Sequence, residues 1–324
     1  MKKITVRAHS NIAFVKYWGR KDEKVRLPTN GSISMNLSNL YTTTTVEFDT
    51  SLVQDDITIN GDRQQNQLKR VSEHLDRIRE KAGIETKARV SSLNNFPTGT
   101  GLSSSASGFA ALTYAAVHAA ELTLTEREIS ILARQGSGSA CRSIPSGFVE
   151  WKDATTSEES YAYSLHTPDY WDICDVVAII SSQQKDVPTS EGQTRVKTSL
   201  FFEERIRHIQ NKIETCKQYL AERNFEKLGI LAEMEAMEMH AVMLTSWPSL
   251  IYWLPETIML MKQIQRWRQD GLPIYFTINT GQDVHVLCQK KDVKQVSGLL
   301  HSLQYVKDVI ENSASRGAYV ITDP

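Results

Sequence analysis

The stretch Asn94–Ala116, "NNFPTGTGLSSSASGFAALTYAA", decides how the rest of the chain is read. Three glycines and four serines (Gly99, Gly101, Gly108; Ser103, Ser104, Ser105, Ser107) crowd between Thr98 and Phe109, and an alanine-rich apolar run follows. Glycine lets a backbone approach a ligand closely, and a helix N-terminus turns free N–H groups toward an anion. Serine hydroxyls add donors and can ligate Mg2+. "TKARVSSLN" just before it reads as a strand, and Ser104 to Ala120 as a buried helix. Strand, Gly/Ser loop and helix in that order make a phosphate cradle on physical grounds. No GK[ST] follows, so it is not a Walker A loop, and Ser104 stands at the third position after Gly99-x-Gly101, which spoils a dinucleotide fingerprint. Taken alone, the stretch reads equally well as a glycine-rich turn with an ordinary serine cap.

Upstream, "KKITVRAHSNIAFV", "LYTTTTVEFDT" and "DDITIN" read as strands, with a turn at Asn60-Gly61. Leu68, Val71, Leu75 and Ile78 recur at three-and-four spacing, so residues 64–81 form an amphipathic helix that Gly83 stops. Downstream, Thr125 and Glu128 make a capping box for a helix ending at Gly136, and "SGFVEW" and "WDICDVVAIISS" read as strands. The polar segment from Gln183 to Thr198 holds Pro188 and Gly192 and reads as an inter-domain loop. Two long helices, a third at "ETIMLMKQIQRWRQDG", the strand "PIYFTINT", a hairpin-like "QDVHVLCQ", a helix around "VKQVSGLLHSLQ" and a final "GAYVITD" give an α+β second half.

A length of 324 residues suggests about two domains, placed at 1–185 and 186–324. Net charge is −1, so nothing global points to nucleic acid or a membrane surface. Cys141, Cys174, Cys216 and Cys288 show no CxxC spacing, which argues for reduced thiols in a cytoplasmic protein. "MKKITVRAHSNIAF" lacks the apolar core of a signal peptide, and no apolar run approaches the ~20 residues of a membrane span. The eight histidines show no HExxH or paired spacing, so no side-chain metal set is expected. His240 reads as a packing residue, and Met234, Met237 and Met239 as core filling.

Two further pieces carry charge. In "SNIAFVKYWGRKDEKVRLPTNGSIS", Lys16 interrupts an apolar strand; an ammonium buried there without a partner is expensive, so it points outward or meets an anion. Arg20, Lys21, Lys24 and Arg26 follow, offset by Asp22 and Glu23 as in a solvated mixed-charge turn. In "RQGSGSACRSIPSGFVEW" a second Gly/Ser loop, Gly136 to Ser139, precedes Arg142, which can grip a carboxylate or phosphate with two parallel bonds. Two Gly/Ser loops and a strand lysine point to one polyanionic substrate.

Together, "SNIAFVKYWGRKD", "NNFPTGTGLSSSASGFAAL" and "GSGSACRSIPSGFVEW" resemble the diphosphomevalonate decarboxylases of the GHMP kinase superfamily, over nearly the whole chain. The resemblance implies an α+β fold with a left-handed βαβ unit in an N-terminal ATP-binding domain and a ferredoxin-like C-terminal domain, the active site lying between them. It implies a homodimer that uses ATP and Mg2+ to phosphorylate the 3-hydroxyl of a 5-phosphorylated mevalonate, from which phosphate and CO2 then leave. By the same resemblance Pro97, Gly99, Gly101, Leu102, Ser103, Ser104, Ser105 and Ser107 wrap the ATP phosphates, with Ser104 a candidate Mg2+ ligand. Arg142 holds the mevalonate carboxylate, Ser137 and Ser139 belong to the substrate loop, Tyr17 and Arg20 lie near the 5-phosphoryl group, and Lys16 is the active-site lysine.

The family's late "DxGxN" motif carries an aspartate facing the 3-hydroxyl. Here the segment is "INTGQDVHV", with Asn279 at the aspartate's place and Asp283 at the asparagine's. Four accounts follow. Asp283 takes over the role; the transferring phosphate itself accepts the proton; position 279 is an engineered substitution that traps substrate; or the enzyme has diverged, for example to a 3-kinase that does not decarboxylate. Some bacterial relatives carry arginine in place of Leu200, which would favour a diphosphate, but eukaryotic diphosphate enzymes also lack it. The resemblance therefore leans to 5-diphosphomevalonate over the monophosphate.

Overall fold

A computed structural model describes residues 2–63, 65–97 and 101–322. In chain order, β1 (Ile4–Val15) is followed by the short pair β2 (Arg20–Asp22) and β3 (Leu27–Pro28), the long β4 (Ser32–Phe48) and β5 (Asp56–Ile59). Helix α1 (Gln65–Ala82) leads to β6 (Ala88–Asn94), then α2 (Ser104–Ala119), α3 (Glu126–Gly136) and a 3-10 turn at Gly138–Ser143. Strands β7 (Phe148–Trp151), β8 (Ala162–His166) and β9 (Ile173–Ile179) precede the short α4 (Thr189–Gly192) and the 3-10 turn Gln193–Thr198. Helices α5 (Phe202–Ala221), α6 (Phe225–Thr245) and α7 (Pro255–Gln269) follow, then β10 (Tyr275–Thr277), β11 (Val284–Gln289), α8 (Val293–His301), β12 (Asp308–Ser313) and β13 (Tyr319–Val320).

The first sheet runs β13-β1-β4-β6-β5, with β7 and β8 branching from β4. All its pairings are antiparallel except β5 with β6, which α1 joins as a β–α–β crossover. The expected capping box forms: Thr125 and the Glu128 carboxylate satisfy each other's backbone N–H groups at the start of α3. Helix α2 has no polar face, being buried at most positions from Ala106 to Ala119. Its alanines let it lie close against β1 and β4, which places its N-terminus over the end of β1.

The second sheet is antiparallel, in the order β10-β11-β9-β12. The chain visits it as strand, helices, strand, strand, helix, strand, which is the ferredoxin-like arrangement. Ile173–Ile179 is its second inner strand, so the division between the sheets falls before residue 173, not at 185. β13 then returns to the first sheet, pairing Val6 with Val320. One apolar core joins the halves: Ile12, Phe14, Ile33 and Met35 pack with Ile173, Val177, Ile209 and Leu228.

Other expectations need correction. The segment Gln183–Thr198 is no loose linker: it contains α4 and a 3-10 turn, and Gln193 and Val196 are buried. Met239 is core, but Met234 and Met237 are 56% and 41% exposed, because among the described residues no element covers that stripe of α6. An all-round apolar helix does not reveal which stripe finds a partner. The short β8 and β12 carry too little alternation to be read as strands from sequence. All four cysteines are buried and free, and among the described residues no helix is long and apolar enough to cross a membrane.

Candidate active site

Lys16 follows the last residue of β1 and is 1% exposed. Side chains replace the strand ladder around its peptide groups. Its N–H donates to Glu235 Oε2 (3.0 Å), and its carbonyl accepts from Arg205 Nη2 (3.1 Å) and Asn30 Nδ2 (2.9 Å). Arg205 grips both oxygens of Glu235, at 3.1 and 2.8 Å, and Lys212 adds a second cation. Helices α5 and α6 thus fix the main chain of the lysine from the opposite half of the molecule.

The Lys16 Nζ donates to Asn279 Oδ1 (3.2 Å), and Asn279 Nδ2 donates to Ser103 Oγ (3.1 Å). This chain joins the end of β1, the loop after β10 and the phosphate loop. Burial holds the His240 ring down at about 3, so it is neutral; its Nε2–H donates to the Asn279 carbonyl (2.9 Å) while the ring stacks on Trp253. His240 is therefore more than packing: it fixes the backbone that carries Asn279. Burial also lowers Lys16 to about 7, Glu235 opposing this and Arg142 adding to it.

The phosphate loop meets the same place. Leu102 is buried and its carbonyl accepts from Ser10 Oγ (2.6 Å). Ser103 caps α2 in the left-handed region at φ 59°. Ser104 opens the helix half-exposed, and Ser105 Oγ accepts from Ser137 Oγ (3.2 Å), which brings the two Gly/Ser loops together. Pro97 is exposed at the loop's start, and Gly99 lies outside the described residues. Gly101 has φ +116°, and a Cβ there would sit 2.5 Å from Gly281 Cα. Gly101→Ala is expected to force these two loops apart and raise the KM for ATP about 10–100-fold, since such strain costs of order 1–3 kcal/mol. Gly108→Ala, where a Cβ meets nothing, is the control and should leave that KM unchanged. Steady-state ATP titrations of both variants check this.

Ser107 is a correction to the expected loop. It is fully buried, and its hydroxyl is committed to Thr42 Oγ1 (2.6 Å) and the Ser104 carbonyl (3.3 Å), so it ties α2 to β4 and does not face the phosphates. Asp283 is another. Its Oδ1 accepts from the Ile180 and Ser181 N–H groups (2.8 and 3.4 Å), fastening the end of β9, so it has not taken the place of the family's aspartate beside Lys16.

Arg142 is 4% exposed and held by neutral groups: Nε and Nη2 donate to Asn11 Oδ1 (3.3 and 2.9 Å) and Nη1 to Ser32 Oγ (2.7 Å). Among the described residues no carboxylate pairs with it. Asn11 Nδ2 donates to the Ser139 carbonyl (3.3 Å), binding the substrate loop to β1. Arg20 Nε donates to Tyr17 Oη (3.0 Å), and the Arg20 guanidinium also meets Glu23. The sequence left Lys21, Lys24 and Arg26 open between a solvated turn and an anion site, and nothing in it marked Arg70. Arg26 and Arg70 donate to the carbonyls of Gln135 and Gly136 (3.1 and 2.8 Å), and burial together with Arg26 and Arg20 lowers Arg70 to about 9. Lys185 was also overlooked: half-buried in the segment after β9, it donates to Thr189 Oγ1 and the Thr280 carbonyl (2.6 and 2.5 Å), next to Asn279. No local pattern marks these residues; only the return of α1, α3 and the Gln183–Thr198 segment to the cleft places them.

Among the described residues no cluster of His, Cys, Asp or Glu could hold a metal ion. Ser104 Oγ at the head of α2, with phosphate oxygens, is a hard-oxygen donor set of the kind Mg2+ accepts while keeping waters. A Gly/Ser loop on a helix N-terminus, together with a buried arginine that has no anionic partner among the described residues, is the equipment of an enzyme of phosphoryl transfer to a small anionic substrate.

The chain belongs to the diphosphomevalonate decarboxylase family. Residues 8–162 match the diphosphomevalonate decarboxylase-like N-terminal domain, and residues 175–321 match the mevalonate 5-diphosphate decarboxylase C-terminal domain. The diphosphomevalonate decarboxylase of Candida albicans is 33% identical over 319 residues, covering 93% of this chain and 88% of the relative. The phosphomevalonate decarboxylase of Haloferax volcanii is 31% identical, covering 91% and 90%. The solved structure of MDDEF in complex with MVAPP, AMPPCP and magnesium superposes with a TM-score of 0.93 at 34% identity, covering 99% of each chain.

Proposed function

We propose that the protein is an ATP-dependent decarboxylase of a 5-phosphorylated mevalonate, acting on 5-diphosphomevalonate in the mevalonate route to isoprenoids. The observation that carries this is Arg142: a buried guanidinium held, among the described residues, by the neutral Asn11 and Ser32 is a receptor for a carboxylate, and it lies near enough to Lys16 for the two charges to interact. Ser137, Ser139 and Asn11 shape the substrate loop around it. Tyr17 and Arg20, backed by Arg26 and Arg70, receive the 5-phosphoryl end; three guanidinium groups against one carboxylate, Glu23, support a diphosphate. Leu200, 91% exposed, leaves the substrate question to that cluster.

With both ends fixed, the 3-hydroxyl is presented to Lys16 and Asn279, beside the phosphate loop. Ser104 would help to hold Mg2+, which would neutralise charge on the ATP phosphates when bound. The helix α2 N-terminus, Ser103 and Ser104 orient the γ-phosphoryl group, since such transfer needs positioning and charge neutralisation more than a strong base. Once the 3-oxygen is phosphorylated, its C–O bond breaks with the electron pair leaving on phosphate, while the pair of the C–CO2 bond becomes the new double bond. Lys16, as a fixed cation at that stage, stabilises the departing phosphate.

Asn279 favours one other reading, a 3-kinase that stops at the phosphorylated product. Side-by-side ADP and CO2 assays with 5-phosphomevalonate and 5-diphosphomevalonate decide. Equal ADP and CO2 from the diphosphate is the expected result; CO2 from the monophosphate alone moves the substrate, and ADP without CO2 from either leaves the kinase. A cytoplasmic homodimer is part of the same reading. The exposed stripe of Ile230, Met234 and Met237 on α6 supports pairing of two copies, which the molar mass from light scattering would read directly.

A further inference from the structure

The family's aspartate is replaced by Asn279, whose amide cannot take a proton from the substrate hydroxyl. Each acid near Lys16 is held by another group, Asp175 through one of its two oxygens. The Glu235 carboxylate is held by Arg205, Lys212 and the Lys16 peptide N–H. Asp283 holds the end of β9, and Asp175 Oδ2 pairs with His285 Nδ1 (2.8 Å). His240 keeps its proton on Nε2 for the Asn279 carbonyl. Among the described residues, the one hydrogen bond that Lys16 Nζ makes is to the neutral Asn279 Oδ1.

We propose that Lys16, as an uncharged amine, is the base that takes the proton of the substrate's 3-hydroxyl, with Asn279 aiming it. The proposal rests on the reading of the substrate given above. A carboxylate at position 279 would hold Lys16 as an ammonium and accept the proton itself. A carboxamide supplies no charge, so the same contact orients an amine whose lone pair is free. The lone pair forms the N–H bond as the O–H bond breaks, the oxygen attacks the γ-phosphorus, and the bond to the ADP oxygen breaks. The resulting ammonium then faces the departing phosphate and returns its proton to it when the C–O bond breaks and CO2 leaves. Protons balance, and no further reactant is needed.

Burial supports the assignment, because it lowers Lys16 to about 7 and so populates the amine at neutral pH. The groups facing it are Glu235 and His240 from α6, Arg205 from α5, Arg142 from the 3-10 turn and Asp175 from β9. The charged amine is the inactive form, so activity falls as pH drops through that value.

The test is single-turnover ADP formation with saturating ATP, Mg2+ and 5-diphosphomevalonate, followed from pH 5.5 to 9. The rate is expected to rise with pH, inflect at or above 7 because the bound anions favour the ammonium, and level off. Lys16→Arg keeps the cation but loses the base, and its rate should fall about 10^3-fold, within the range of general-base catalysis, while AMPPCP binding persists. Lys16→Arg/Asn279→Asp should regain at least tenfold through the new carboxylate, with the inflection moved into the carboxylate range. If arginine disturbs the fold, Lys16→Ala should be rescued by added ethylamine in proportion to its free-base concentration. A flat wild-type profile, or Lys16→Arg within tenfold of wild type, or no amine rescue of a folded Lys16→Ala, overturns the proposal. CO2 release with an Arg-tolerant position 16 removes the base and keeps the decarboxylase. ADP without CO2, with the pH limb intact, keeps the base and removes the decarboxylase. No ADP from either substrate removes both.

Discussion

Arg142→Ala is expected to lower kcat/KM for CO2 release about 10^3-fold. The guanidinium is buried, spends its nitrogens on Asn11 Oδ1 and Ser32 Oγ, and lies with its Cζ 5.9 Å from the centre of the Trp151 ring. Removing one partner of a buried, hydrogen-bonded charge pair costs about 2–5 kcal/mol, and a loss of about 4 kcal/mol corresponds to three decades in rate. The substrate carboxylate would then enter a pocket with no cation, so the loss should fall on KM for the mevalonate and on the decarboxylation step together. Lysine should recover little, because an ammonium cannot reproduce the planar fork that spans Asn11 and Ser32. The free enzyme should melt no lower than wild type, since truncation also relieves a buried cation that has no anionic partner among the described residues. Steady-state kinetics with both substrates and a melting curve separate these effects; an Arg142→Ala enzyme with unchanged KM would remove the carboxylate assignment.

Glu235→Leu should give the largest loss of stability. It takes from the Arg205 side chain, 1% exposed, its buried carboxylate, leaving only the partly exposed Glu238 as an anionic partner among the described residues, and it leaves the Lys16 N–H without its acceptor. Breaking a buried pair on one side costs about 3–5 kcal/mol, a melting temperature lower by roughly 6–12 °C for a chain of this size. Replacing both partners, as in Arg205→Met/Glu235→Leu, should recover most of the melting temperature, because matched apolar groups no longer strand a charge. The rate of ADP formation should stay low in the double variant, since the peptide of Lys16 has lost two of the three side chains that position it. Recovery of both properties would mean that the pair is structural only. The pH dependence follows from the carboxyl: burial opposes its ionisation, but Arg205 and Lys212 prevail and hold Glu235 below its ordinary 4.5. Its contribution is therefore complete above about 4.5 and is lost as pH falls through the lower folded value.

The sequence by itself determined what depends on neighbours in the chain. Hydrophobic spacing marked α1, the capping box marked α3, and the Gly/Ser stretch marked the loop and α2. The types and order of Lys16, Arg142 and the serines pointed to a polyanionic substrate, because a lysine in an apolar strand is costly unless an anion is to be met; the reaction itself was named by the resemblance of the three motifs to the diphosphomevalonate decarboxylases. Only the tertiary structure decided how those residues are held. Glu235 lies 219 positions from Lys16 and Arg205 lies 189, so no local pattern could join them. Arg26 and Arg70 converge through α3, and Lys185 becomes part of the cleft because its segment folds back on Thr280. The same holds for the two carboxyl-like positions of the late loop. Their letters show that an aspartate and an asparagine have traded places, but only the fold shows Asp283 fastened to β9 and Asn279 against Lys16. A side chain's identity sets what it can donate or accept, and the path of the whole chain sets which partner stands within reach.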